Sequence, residues 1–220
     1  MKVYPFSHFP QRPDDLSEGL AVKLKKVQQN AVLFSNDDSF DWMYPEHFQE
    51  LSHKHWTPLA MARKAAEFLA EPGARVLDIG SGIGKFCLAA AYHFPETYFY
   101  GVEQRSELVY QAEEAKGYIQ LTNVDFIHAN ITQVNFKEFD HFYFYNSFHE
   151  NIDPDHQIDD TIALSEGLYA YYTQYLFMAL DGKPSGTRLV TFHISGQEVP
   201  TGYKMSGFAF DGLMKMWIKA

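Results

Sequence analysis

The sequence predicts an α/β protein with a mostly parallel sheet, helices on both faces and an antiparallel hairpin at its C-terminal end. Three observations predict it. Short strand-like runs alternate with helical patterns from residue 75 to residue 193. The first run, Arg75-Val76-Leu77-Asp78-Ile79, passes straight into Gly80-Ser81-Gly82-Ile83-Gly84-Lys85-Phe86, which reads as a tight turn and a helix N-terminus. After residue 193 the alternation stops, and 202–210 and 213–218, either side of Asp211-Gly212, read as two hairpin strands.

Taken in order, residues 1–13 carry Pro5, Pro10 and Pro13 and predict irregular chain. Asp14 to Glu18 start a helix that continues through Val22, Leu24 and Val27, with acids early and lysines late. The stretch 36–45 breaks that pattern, and its Phe40, Trp42 and Tyr44 form either a lid over a site or a packed satellite cluster. Thr57 as N-cap and Pro58 as first helical residue begin a helix through Leu69, and Glu71-Pro72-Gly73 ends it. Strands follow at 75–79, 98–102, 124–128, 141–145 and 188–193, with helices at about 84–93, at about 106–119 capped by Ser106, and at about 159–180. The fourth strand, His141–Tyr145, is almost continuously aromatic, as a strand covered on both faces can be.

Composition bounds the function. The chain has 220 residues, 46% of them hydrophobic, enough for one α/β domain with an N-terminal addition. A net charge of -10 and the lack of any Lys/Arg run predict no nucleic-acid partner. The single cysteine, Cys87, excludes an internal disulfide and reads as a buried helix residue. No run reaches the ~20 apolar residues of a membrane span and no leader is visible, so a cytoplasmic protein with no membrane partner is predicted.

The glycine turn narrows the ligand. Dinucleotide enzymes space their glycines as Gly-x-Gly-x-x-Gly. Here the spacing is Gly80-x-Gly82-x-Gly84, and Lys85 stands where the third glycine would fall. Asp78 would repel a pyrophosphate but accept from a cationic amino group. S-adenosylmethionine carries such a group, together with a carboxylate that can meet the loop N–H groups. Glu103 closes the second strand, where an acid accepts from ribose hydroxyls.

Val76 to Gly84 resembles the first motif of class I S-adenosylmethionine-dependent methyltransferases, and Gly101-Val102-Glu103 resembles their ribose-binding acid. The resemblance implies a Rossmann-like three-layer sandwich with a seven-stranded sheet. It divides the chain into an N-terminal helical or irregular cover, 1–55, and a methyltransferase domain, 56–220. It implies a cofactor set of Asp78, Gly80, Gly82 and Gly84 for the methionine end, Glu103 for the ribose, and Gln104, Asn130 and Ile131 at the adenine. Asn130 stands where the family often has an acid, and would accept through its carbonyl oxygen. Trp56, Thr57 and Asn146 complete the set. Tyr145, Asn146 and His149 are the catalytic candidates, with Phe148 and Tyr44 beside them and Glu150 as an alternative base. A weaker similarity to histone-lysine methyltransferases of the telomeric-silencing type rests on Asn146-Ser147-Phe148.

The predicted reaction is in-line transfer of a methyl group to a small-molecule or protein side-chain acceptor. No Asn-Pro-Pro-Tyr type run of nucleic-acid enzymes follows the fourth strand. A non-catalytic S-adenosylmethionine-binding module and an NAD(P)-binding oxidoreductase are the other readings. The loop 149–156 offers oxygen and imidazole donors, but an acid-rich cap on the following helix explains it without a metal. The tyrosines at 169, 171, 172 and 175 and Phe177 are read as packing a helix on the sheet, with a substrate wall as the alternative.

Overall fold

The computed structural model describes residues 24–153, 155, 157–194 and 199–220. Contacts divide the chain into Met1–Phe40 and Asp41–Ala220, a boundary earlier than the expected one at 55. In the first unit the described residues include helix α1 at 24–33, which runs past Val27; the predicted start of that helix lies outside the described residues. Asp37–Asp41 is a short helix, α2.

The second unit is built on one seven-stranded sheet: β1 (Arg75–Ile79), β2 (Tyr98–Glu103), β3 (Val124–His128), β4 (His141–Tyr145), β5 (Arg188–Phe192), β6 (Tyr203–Ala209) and β7 (Met214–Lys219). Its order is β3-β2-β1-β4-β5-β7-β6. The first five strands are parallel, and β7 inserts antiparallel between β5 and β6. The helices are α3 (Glu46–His55), α4 (Leu59–Leu69), α5 (Lys85–His93), α6 (Ser106–Ile119) and α7 (Glu166–Asp181). This is the mostly parallel sheet with a terminal hairpin that the alternation predicted, in the seven-stranded Rossmann-like form that the resemblance implied.

Burial of both faces explains the aromatic fourth strand. On one side Phe142 and Phe144 join a core with Phe136, Leu176 and Leu180. On the other, Tyr143 stacks on Phe86 of α5 at 3.9 Å between ring centres. Tyr169, Tyr172 and Tyr175 of α7 pack on the same core as predicted, while Tyr171 is exposed. Cys87 is buried in α5.

Several boundaries differ for identifiable reasons. Pro58, not Thr57, is the N-cap of α4, because Thr57 Oγ1 lies 3.1 Å from the Tyr143 hydroxyl. Ser106 is already helical, and Arg105 is the cap residue of α6. Helix α7 begins at Glu166 rather than near Asp159. Ser165 Oγ caps it by accepting from Leu168 N–H at 3.1 Å, while Asp159 folds a turn of its own onto Thr161 N–H at 3.0 Å. Helix α3 has no counterpart among the elements the sequence predicts.

Candidate active site

A cleft of about 620 Å³ opens at the C-terminal edge of the parallel strands, where β1 and β4 leave in opposite directions. Ligands of open α/β sheets sit at such a switch point. The cleft brings together Trp56, Thr57, Asp78, Gly80, Gly82, Glu103, Gln104, Asn130, Ile131, Tyr145, Asn146 and His149. Gly84 and Tyr44 are the predicted residues that do not line it; Gly84 lies behind, as the N-cap of α5.

The glycine turn is shaped by close approach. Gly82 has φ 55°, and a Cβ there would stand 2.6 Å from Trp56 Cζ3. Gly80 has φ 74°, and a Cβ there would overlap Ser147 Cβ. The turn's N–H groups are less free than the sequence suggested. Those of Gly80 and Ser81 donate to the Val102 carbonyl at 2.9 and 3.0 Å, and that of Gly82 to Glu103 Oε2 at 3.2 Å. A ligand carboxylate therefore cannot rely on these three donors, and Gly82 N–H becomes available only if Glu103 turns to another partner.

Asp78 is buried, and among the described residues its side chain bonds only to Cys87, whose Sγ donates to Oδ2 at 3.6 Å. Burial pushes its carboxyl up to about 8, the thiol opposes this, and the nearby Glu103 charge adds to it. A cation placed here would relieve the cost of ionising a buried acid. Glu103 is also raised by burial, against the opposing pull of Arg105 and Gly82 N–H. It accepts from Arg105 N–H at 2.9 Å and from Gly82 N–H, and a carboxylate retains lone pairs for further donors such as two hydroxyls.

Asn130 has a different role from the one expected. Its carbonyl oxygen accepts from Thr132 N–H at 3.1 Å and Thr132 Oγ1 at 2.9 Å, so it is committed to a 3₁₀ turn. Its amide donates to Gln104 Oε1 at 3.0 Å and to the Tyr172 hydroxyl at 2.8 Å. Asn130 thus orders Gln104 and Tyr172 at the cleft wall.

The chain from Asp41 onward covers the turn as a fixed wall. Tyr44 donates to the Ile83 carbonyl at 3.0 Å, and Trp56 Nε1 to the Phe48 carbonyl at 3.0 Å. Lys85 is buried and donates to Asp41 Oδ1 at 2.7 Å and Ser52 Oγ at 3.1 Å. Position 85, read from sequence only as a missing glycine, ties this cover to the start of α5. Trp42 is exposed.

At the end of β4, Asn146 has φ 45°, a strained conformation for a residue with a side chain. Ser147 Oγ donates to the Ile79 carbonyl at 2.5 Å, locking the β4 exit onto β1. Burial raises the Tyr145 phenol above its ordinary value, so it serves as a donor rather than a base. Glu150 is not a free base. Both its oxygens accept from the Arg105 guanidinium at 2.8 Å, and Arg105 Nε donates to Asp159 at 2.9 Å. His149 is half exposed and lies 3.4 Å from Asp153.

Arg105 and His193 also line the cleft, although neither is among the residues expected there. Arg105 carries no local signal, because its partners lie far along the chain. His193 did carry one: as the residue leaving β5 it is the counterpart of Asn146 leaving β4, and it too lines the cleft with a left-handed φ of 56°.

Residues 70–165 match the family model described as a methyltransferase domain. That stretch is similar to a methyltransferase domain, and S-adenosylmethionine is the cofactor its residues fit. The donor set supports this fit: a buried acid with no cation paired to it among the described residues, an acid with spare lone pairs, and a turn in which glycine leaves room. The chain is 34% identical over 88 residues to a tRNA (guanine-N(7)-)-methyltransferase of Microcystis aeruginosa, covering 39% of this chain and 41% of that protein. It is 47% identical over 55 residues to a protein of the same name from Synechococcus, covering 25% and 23%. The chain thus spans well under half the length of these relatives. TrmN from Thermus thermophilus superposes with a TM-score of 0.54 at 21% identity, covering 78% of this chain and 51% of that one, which supports the fold alone.

These relatives overturn the expectation that nucleic acid is excluded as a partner. Net charge sums the whole surface, whereas a phosphate meets only the groups at the contact, so an acidic total does not exclude it. Neither relative is named as a histone-lysine enzyme.

Proposed function

We propose that this chain is an S-adenosylmethionine-dependent methyltransferase acting on a nucleic-acid base, with guanine in tRNA the acceptor that its relatives' names suggest. The observation that carries the cofactor half is the pairing of buried Asp78 and Glu103 across the glycine turn. The named relatives support the acceptor half.

When bound, S-adenosylmethionine supplies an electrophilic methyl on a sulfonium. Asp78 would hold the amino group as a charged acceptor, and Glu103 would hold the ribose hydroxyls. Gln104, Ile131 and Tyr172 would meet the adenine, with Asn130 fixing Gln104 and Tyr172. Trp56 and Phe148 exclude water, which in-line transfer requires more than it requires acid–base help. Tyr145 and Asn146 offer an O–H donor and an amide to orient the acceptor. A guanine N7 has an available lone pair, so no base is required, which accords with Glu150 being tied to Arg105.

The test is transfer of radiolabelled methyl from S-adenosylmethionine to unfractionated tRNA, followed by nucleoside analysis. Label in 7-methylguanosine supports the whole reading. Label in another nucleoside corrects the base, and label only in protein or small-molecule acceptors contradicts the acceptor half.

A further inference from the structure

The cleft has two halves of different character. Strand order places the ligands of the glycine turn, ribose and adenine over β1, β2 and β3, so the space beyond the methionine end lies against β4 and β5. There Tyr145 and Phe192 are register partners, which sets the following residues, Asn146 and His193, abreast. Both have left-handed backbone, at φ 45° and 56°, and both line the cleft. Two adjacent non-glycine residues held in that region point to a constraint beyond packing. The His193 ring stands 6.0 Å from Tyr145 between centres, and no hydrogen bond engages its nitrogens among the described residues. The C-terminal turn of α3 adds His53 and Lys54 to the same cleft, and neither side chain has an ion pair among the described residues.

The acids of the cleft lie elsewhere or are already paired. Asp78 and Glu103 end or precede the turns after β1 and β2, Glu150 is forked to Arg105, and Asp153 stands beside His149. The exits of β4 and β5 therefore offer an imidazole, an amide and a phenol, α3 adds an ammonium and a second imidazole to the same cleft, and among the described residues this side of it presents no unpaired carboxylate. Such a wall suits an anion despite the acidic total.

Building on the nucleic-acid reading above, we propose that His193 and Asn146, with Lys54 and His53 of the same cleft, form an acceptor subsite that holds a phosphate beside the base being methylated. The substrate class is a phosphorylated nucleotide unit, and the subsite sets specificity for it over the bare nucleoside.

The test uses the full chain saturated with S-adenosylhomocysteine, so that the cofactor half is filled. Guanosine 5′-monophosphate and guanosine are titrated separately, followed by protein NMR shifts. The nucleotide is expected to bind at least about tenfold more tightly. That preference is expected to fall to near one in His193→Gln/Lys54→Gln, whose S-adenosylhomocysteine affinity stays at the wild-type value. Equal binding of the two probes, binding of neither, or a preference that survives the double substitution would overturn the subsite. A wild type that methylates tRNA yet shows no preference loses only the subsite. A wild type that fails to methylate tRNA but prefers the nucleotide loses the tRNA reading and keeps the subsite.

Discussion

Asp78 makes binding of a cationic amine a proton-releasing event. Its carboxyl sits buried against Cys87 with a pKa of about 8, so the empty folded protein carries a proton that the unfolded chain loses near an ordinary carboxylate value. The sign follows from that difference. The folded state binds more protons than the unfolded state between about pH 4 and 8, so stability of the empty protein falls as pH rises through that window and is flat above it. Binding runs the other way. If the cofactor's amino group pairs with the ionised form, about one molecule in a hundred is ready at pH 6 and about half at pH 8, on tenfold per pH unit. Affinity for S-adenosylhomocysteine should then rise about fifty-fold between those values and level off above them. Calorimetry at pH 7 in two buffers of different ionisation enthalpy should count close to one proton released per ligand. Asp78→Asn should remove the release, flatten the profile, weaken binding, and raise the thermal midpoint of the empty protein at neutral pH. Glu103→Gln should lower the midpoint of the profile, because the Glu103 charge helps hold Asp78 protonated. A flat affinity profile with no proton exchange in the wild type would show that Asp78 does not ionise on binding.

Three further substitutions test the walls of the cleft. Gly82→Ala meets both a left-handed backbone, costing ~1–2 kcal/mol, and the Trp56 ring, so it should lower the thermal midpoint and shift indole fluorescence. Unchanged fluorescence would show that Trp56 does not rest on this turn. Lys85→Met strands Asp41 in a buried site and should cost ~3–5 kcal/mol in urea unfolding, with Lys85→Met/Asp41→Leu regaining most of it. Equal costs for the single and double variants would contradict that pairing. Arg105→Lys keeps the charge but loses the fork to Glu150 and the bond to Asp159, a loss of ~2 kcal/mol from charged hydrogen bonds. It should raise the KM for S-adenosylmethionine and speed protease cleavage after β4, and wild-type behaviour in both assays would remove its clamping role.

The sheet was legible because its signals are local. Buried parallel strands are short apolar runs, and the turn after β1 declares itself through glycines that no other residue could replace beside Trp56 and Ser147. The positions of Asp78 and Glu103 in the cleft were legible for the same reason, since each ends or nearly ends a strand whose identity was plain. What was not legible depends on partners distant in sequence. Thr57 and Ser106 have the chemistry of caps, but Tyr143 engages one and helix geometry absorbs the other. Asn130 has the chemistry of an adenine acceptor, but Thr132 takes its oxygen. Arg105 and Glu150 are an ordinary basic and an ordinary acidic residue until the fold forks them together. Exclusion of nucleic acid is wrong on a different ground. The charge of a whole chain does not describe one cleft, and the relatives named as tRNA methyltransferases overturn a reading taken from the total.

Binding of S-adenosylmethionine in the cleft between β1 and β4, through Glu103 and Asp78, is tested by isothermal titration of the full chain with S-adenosylhomocysteine, alongside Glu103→Ala and reduced nicotinamide dinucleotide. The expected result is one-to-one binding by the wild type, its loss in Glu103→Ala with an unchanged circular dichroism spectrum, and no heat from the dinucleotide. Equal binding by wild type and Glu103→Ala, or saturable binding of the dinucleotide in place of S-adenosylhomocysteine, would contradict it.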